Sequence, residues 1–431
     1  MGGNTLNWLT SLWGSARSFY GWRIVGVSFT TEFTVSAIGG ATVSLFFIPM
    51  RDSLGWSITT LTAAVAIRAI AGMVSGPFIG MILDRHGPRV FMTAGAAVTG
   101  VALMVLMGVQ ERWQFWLIFA VVGLVGMGEP GNIAPTVALA KWFVRMRGRA
   151  MAISTQGQLL GGVVMTPIIA FLLVEIGWRP TWVLLGLFVL VINVPLTAAF
   201  MRRQPEDMGL LPDGDTAEDI SSVVDRSQVD IEESWSAPEA LRTSTFWLLT
   251  LGFNFILFAT ISIVYHQVLY FTGEGLSTML ASYVLMGSML GGVLSRVLWG
   301  WLVEIFSMRL CLTAIALFRA IGTLSLIVVP FPWNIAPFLA FWGFLGGAVG
   351  LLLPLSFANY YGRAFQGRIQ GILRPLLGIS IVIGPISLAV LFDITGTYTL
   401  SFGVAAVLAW CSVVLFAVAP VPVKNKKRDG A

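Results

Sequence analysis

Twelve apolar runs, bounded by charged or turn-forming residues, dominate the chain: about 24–50, 57–83, 90–109, 114–140, 149–174, 180–201, 245–271, 277–302, 310–329, 333–361, 369–391 and 399–418. A helix of about 20 apolar residues crosses a hydrocarbon core of about 30 Å, and helices or closed barrels are the only backbones whose polar groups are all satisfied in lipid. The runs therefore predict an all-α integral membrane protein with twelve transmembrane helices. Composition agrees: 56% of the 431 residues are hydrophobic and 11% charged, against about 25% charged in soluble domains. Gly161-Gly162, Pro167, Gly291-Gly292, Gly346-Gly347 and Pro385 fall inside the runs. They would break soluble helices but suit closely packed membrane helices.

With twelve spans both termini share one side, and the loops can be sorted by charge. The terminal side holds 19 of the 26 Lys and Arg residues, the opposite loops hold Arg51, Arg112 and Arg179, and four lie within spans. Basic residues stay in the cytoplasm, so both termini are expected there, in a multi-pass protein of the cell (plasma or inner) membrane. The net charge of +5 is thus a topology signal rather than a nucleic-acid footprint. The first 20 residues lack the continuous apolar core of a cleavable signal. Cys311 and Cys411 each sit within an apolar run, so neither a disulfide framework nor a metal site follows from them.

A polar stretch separates spans six and seven. Residues 202–242 carry 11 of the 21 acidic residues and read as a cytoplasmic linker without a core of its own. The chain thus divides into an N-terminal bundle (1–201), a linker (202–243) and a C-terminal bundle with a short basic tail (244–431). The halves repeat. Gly80-Met81-Ile82-Leu83-Asp84-Arg85-His86-Gly87-Pro88-Arg89 after span two is echoed 220 residues later by Gly300 to Arg309, with Glu304 in the place of Asp84. Arg147-Gly148-Arg149 before span five is echoed 219 residues later by Gln366-Gly367-Arg368. Two echoes at one offset indicate duplicated, pseudo-symmetric six-helix halves.

The segment Gly80 to Arg89 resembles the loop-two motif of the major facilitator superfamily, and Gly300 to Arg309 is its weakened loop-eight counterpart. The resemblance covers nearly the whole chain and implies two six-helix bundles that rock about a central cavity. It also implies a gating latch at Gly80, Asp84, Arg85, Gly87 and Arg89, with Glu304 and Arg309 as the second copy. Physically, a carboxylate gains near a neighbouring helix N-terminus, and basic side chains can pair across helices. Within the superfamily, Lys141 to Arg149 and the Arg296-Val297-Leu298-Trp299-Gly300 segment are similar to the monocarboxylate transporter and oxalate/formate antiporter group. In that group the span-eight arginine binds the substrate carboxylate. Two departures stand out: Gly292 replaces the aspartate that animal monocarboxylate transporters carry one turn earlier, and Arg374 lies about a turn from the antiporters' span-eleven lysine.

Charges inside spans need a reason. At 1.5 Å per residue, Arg296 lies roughly 12 Å beyond Glu304, Arg374 roughly 9 Å beyond Arg368, Glu129 roughly 18 Å from Lys141 and Glu32 roughly 14 Å from Arg23. Such residues face a cavity or a partner. Arg68 and Glu129 share a half and suit an ion pair, and Arg319, in a span that the resemblance makes peripheral, suits helix packing or snorkelling. The acids of spans seven to twelve, Glu274, Glu304 and Asp393, lie near helix ends, and an anionic substrate is the expected counter-charge of Arg296 and Arg374. A guanidinium can hold a carboxylate through two parallel hydrogen bonds. Tyr265, His266, Asn254 and Tyr283 are candidates for further substrate contacts, with a polar pair at the outer end of span seven as the plainer role of Tyr265 and His266. Tyr360 and Tyr361 read as an interfacial aromatic belt. Glu129, with Glu32 in reserve and Arg68 as neighbour, is the candidate proton carrier.

Enzyme chemistry finds no support in the motifs: there is no P-loop, nucleophile elbow or paired Cys/His spacing, and no cofactor is implied. The expectation is a secondary transporter of a small organic anion, a mono- or dicarboxylate, coupled to a proton or to a counter-anion. A drug or sugar facilitator and a non-transporting receptor of the same fold are the alternatives.

Overall fold

A computed structural model describes residues 19–36, 40–125, 133–215 and 234–424. The described residues are helical or lie in turns, with no strand. The helices are α1 Gly21–Ser36, α2 Phe47–Leu54, α3 Ile58–His86, α4 Pro88–Val105, α5 Arg112–Leu124, α6 Ile133–Trp142, α7 Arg147–Glu175 and α8 Trp178–Phe200. They continue as α9 Ala237–Leu241, α10 Ser244–Gly273, α11 Thr278–Ile305, α12 Met308–Val328, α13 Val349–Tyr361, α14 Gln366–Thr395 and α15 Tyr398–Val418.

Among the described residues ten helices are long and apolar enough to cross a membrane, and α5 is a shorter apolar helix. Residues 37–39 of the expected first span and 126–132 of the expected fourth lie outside the described residues. The most apolar windows of the ten long helices bury only 22–56% of their residues. Val174, Phe171 and Ile394 are among the large apolar side chains left exposed. Such surfaces are stable only where the surrounding solvent is hydrocarbon.

Helix ends follow local chemistry. Ser57, Thr243, Ser277 and Ser307 accept backbone N–H groups at the starts of α3, α10, α11 and α12, supplying partners for orphan donors. Gly87, at φ +79°, ends α3 and passes the chain to Pro88 at the start of α4.

Two compact units form, one from Met1–Glu232 with Gln366–Gly371, the other from Glu233–Phe365 with Ile372–Ala431. In the first, α1 packs on α7, α3 on α5 and α4 on α8. Its core includes Phe46 stacked on Trp182 at 3.9 Å, with Trp56, Phe115 and Phe119. In the second, α12 packs on α15, and α11 on a π-helical segment, Phe338–Leu345, that precedes α13. Counting spans from the start of each half, third pairs with sixth and second with fourth in both units, as a duplication requires. Glycines set the closeness: a methyl group at Gly100 would lie 2.9 Å from the Gly186 carbonyl oxygen, and one at Gly186 would lie 2.5 Å from that of Gly100.

Candidate functional site

The Asp84 carboxylate, near the C-terminal end of α3, accepts the Gly367 N–H on Oδ1 and the Arg368 N–H on Oδ2, each at 2.9 Å. It therefore caps the start of α14 through residues that belong to the same compact unit. The α14 dipole favours an anion there, and Lys141 Nζ stands 4.0 Å from Oδ1. Glycine makes the approach possible, since a side chain at Gly80 would collide with the Gly367 carbonyl. Arg85 and Arg89 are exposed, and Gly87 closes the helix.

The second copy of the motif is built differently. Glu304 is partly buried near the end of α11, and the exposed Arg309 donates from Nε and Nη2 to the Ala417 carbonyl, near the C-terminus of α15.

Sequence reasoning missed two attachments of the linker. Asp213 accepts the N–H groups of Val144 at 3.1 Å, Arg145 at 2.7 Å and Met146 at 3.1 Å, fixing the turn before α7. The Pro212-Asp213-Gly214 triplet was its signal, because Asp tolerates left-handed backbone and Asp213 adopts φ +61°. At the other end of the linker the Trp235 N–H donates to the Tyr361 carbonyl at 3.0 Å. Tyr361 is fully buried, with its hydroxyl 2.7 Å from that of Thr243, so it packs the linker rather than joining an interfacial belt. Ser236 donates to Glu239 from both its N–H and its hydroxyl, holding that carboxyl below its usual range, and Lys424 bridges to it at 3.3 Å.

In the second unit Arg296 is partly buried on α11, and a methyl group added to Gly350 of α13 would lie 3.5 Å from its Nη2. Arg374 is partly buried on α14, next to Pro375. Asn254 is engaged between helices: it donates to the Thr250 carbonyl at 2.9 Å and accepts from the Ser380 hydroxyl at 2.5 Å. His266 is buried, with Nε2 3.1 Å from the Pro385 carbonyl and Nδ1 3.3 Å from the Tyr398 hydroxyl. Since a carbonyl only accepts, Nε2 carries the proton, and in the neutral ring Nδ1 accepts from Tyr398. Tyr265 and Tyr283 are exposed. Arg319 does not snorkel: it is buried, donates from Nε to the Gly346 carbonyl at 2.7 Å and lies 3.9 Å over the Trp342 ring.

In the first unit Glu32 and Arg68 are each 4% exposed. Arg68 lines a small cavity with Val43, Phe119 and Trp182. Glu129 lies outside the described residues, so the Arg68–Glu129 pair has no geometry here.

The Major Facilitator Superfamily model matches residues 31–385. Among curated relatives, an uncharacterized MFS-type transporter of Bacillus subtilis, YcxA, is 23% identical over 89% of this chain and 91% of its own length. Human monocarboxylate transporter 12 is 22% identical over 89% of this chain and 77% of its own. The oxalate:formate antiporter of Oxalobacter formigenes is 23% identical over 76% of this chain and 75% of its own. Among solved structures, the proton:xylose symporter XylE matches with a TM-score of 0.70 at 12% identity, covering 93% of this chain and 96% of its own, a likeness of fold alone. With twelve apolar runs in duplicated halves, the Asp84 capping motif and a family match over most of its length, the chain belongs to the major facilitator superfamily, as a secondary transporter and not an enzyme.

Proposed function

We propose that this transporter moves a small organic anion, a mono- or dicarboxylate, across the cell membrane by alternating access, together with a proton, with both termini in the cytoplasm. The observation that carries the reading is Arg296: a partly buried guanidinium inside a membrane-crossing helix, facing a glycine of α13 that leaves space beside it. A guanidinium in a membrane span suits an anionic ligand, because it can take a carboxylate through two parallel hydrogen bonds. The names of human monocarboxylate transporter 12 and the oxalate:formate antiporter support the same substrate class.

Arg374 is the second cation and suits the other carboxylate of a dianion, while Tyr265, His266, Asn254 and Tyr283 are candidates for orienting contacts. The hydrogen bonds of His266 and Asn254 give these two a role in setting helix positions around the substrate. Asp84, Arg85, Gly80, Gly87, Arg89, Glu304 and Arg309 are the gating residues of this reading. Exchange against a counter-anion is the second reading, favoured by the similarity to the oxalate:formate antiporter. The bilayer is the protein's solvent, and no nucleic acid takes part.

The test is uptake into proteoliposomes of radiolabelled formate, oxalate and pyruvate. Arg296→Lys keeps charge but loses the planar fork, and Arg296→Ala loses both, so uptake is expected to fall from wild type to Lys to Ala. Loss of bidentate geometry corresponds to about 1.5–3 kcal/mol, or roughly tenfold to a hundredfold in KM. Equal uptake by all three proteins removes Arg296 from the mechanism.

A further inference from the structure

Between the π-helical segment Phe338–Leu345 and α13 the chain breaks at residues 346–348. The last bond of the wide helix, from the Gly346 N–H to the Phe341 carbonyl, is 2.7 Å long. A break inside a membrane span strips backbone carbonyls of their helical partners, and lipid offers no replacement. Two neighbouring side chains supply it: Trp299 of α11 donates from Nε1 to the Leu345 carbonyl at 2.7 Å, and Arg319 of α12 donates from Nε to the Gly346 carbonyl at 2.7 Å.

Arg319 is a costly way to satisfy a carbonyl. It is 6% exposed, its Nη1 is buried without a hydrogen bond, and no carboxylate pairs with it among the described residues. What compensates the charge is the carbonyl end of a helix and the Trp342 face, both of which attract cations. Packing fixes the arrangement, because a methyl group at Gly346 would lie 3.0 Å from Arg319 Cγ. Four residues beyond the clamped Gly346, Gly350 stands next to Arg296 Nη2, and Trp299 lies one turn along α11 from Arg296.

We propose that Arg319, with Trp299, is a positioning residue for the anion site: the two clamp adjacent carbonyls of the break and thereby set the Gly350 backbone against which the Arg296 guanidinium is held. Arg319 does not touch the substrate. The proposal rests on the reading of Arg296 as the carboxylate-binding residue.

The experiment uses the full chain in proteoliposomes, with oxalate and formate uptake as the probe, and hydrogen exchange of peptides covering 343–352 in the purified protein. Arg319→Lys keeps the charge but not the planar donor, and Arg319→Met loses both. Each is expected to raise KM at least tenfold with kcat within about threefold of wild type, and to speed exchange in 343–352 at least tenfold. Arg319→Gln, which keeps an amide donor, is expected to recover part of the KM. Unchanged exchange, or faster exchange with unchanged KM, overturns the proposal. If the Arg319 variants fail to fold, Trp299→Phe removes the neighbouring clamp and is expected to shift KM and exchange the same way; an unchanged KM there is equally fatal. Wild-type protein that takes up none of oxalate, formate and pyruvate overturns the functional reading, and the proposal with it, whereas a variant indistinguishable from active wild type overturns the proposal alone.

Discussion

Asp84 accepts two backbone N–H groups with its two oxygens, an arrangement that asparagine cannot reproduce, because one oxygen becomes a donor and would face an N–H. Asp84→Asn therefore loses one charge-assisted hydrogen bond and the dipole interaction, together about 2–3 kcal/mol in every conformation that contains the contact. On the proposed gating role, in which the contact is made and broken in each cycle, this shifts the balance between conformations by roughly thirty- to a hundred-and-fifty-fold. The expected outcome is a fall in the maximal uptake rate of at least tenfold with KM changed by less than threefold, read from the same uptake assay. Asp84→Asn protein with the wild-type rate would leave the capping bonds as ordinary helix stabilisation.

The helices themselves were legible, because their cause is local. A run of about 20 apolar residues ending in Ser, Thr, Gly or charge specifies a membrane helix whatever surrounds it. Hence α10, with Thr243 at its start, falls close to the expected 245–271. The exceptions lie where tertiary contacts decide. The expected span 333–361 contains a π-helical segment and a break, which depend on Trp299 and Arg319 taking the Leu345 and Gly346 carbonyls. No periodicity in 333–361 encodes a donor on another helix. Arg319 was legible as a buried charge but not as a clamp, for the same reason. The linker's attachment at Asp213 joins it to a turn some 70 residues earlier in the chain, a distance at which composition says nothing. The Asp84 motif was legible because its glycines and its carboxylate must coincide within one short segment.

At the scale of the whole molecule, the duplicated pairing of spans in the two units gives the chain the construction of a major facilitator transporter, and orientation and coupling decide what such a carrier does. In the proposed orientation, which the charge asymmetry of the loops supports, Arg112 and Glu274 lie outside and Asp213 inside. A cysteine at either of the first two positions is expected to react with an impermeant maleimide on intact cells, and one at Asp213 is not; labelling at Asp213 would reverse the topology. Coupling is the further question. A carboxylate in a membrane span that meets the cavity can take up a proton where the cavity opens to water on one side and release it on the other. Glu129 is the first candidate, and Glu32, buried in α1, is the second. Glutamine mimics the protonated carboxyl at either position. If the carrier is a symporter, Glu129→Gln abolishes substrate-driven proton movement into proteoliposomes while sparing counterflow of preloaded oxalate, since exchange needs no net proton transfer. If Glu32 is the carrier instead, Glu32→Gln shows that phenotype and Glu129→Gln retains proton movement. Wild-type protein that exchanges oxalate with no proton movement at all would make the transporter an anion exchanger and leave both carboxylates with structural roles.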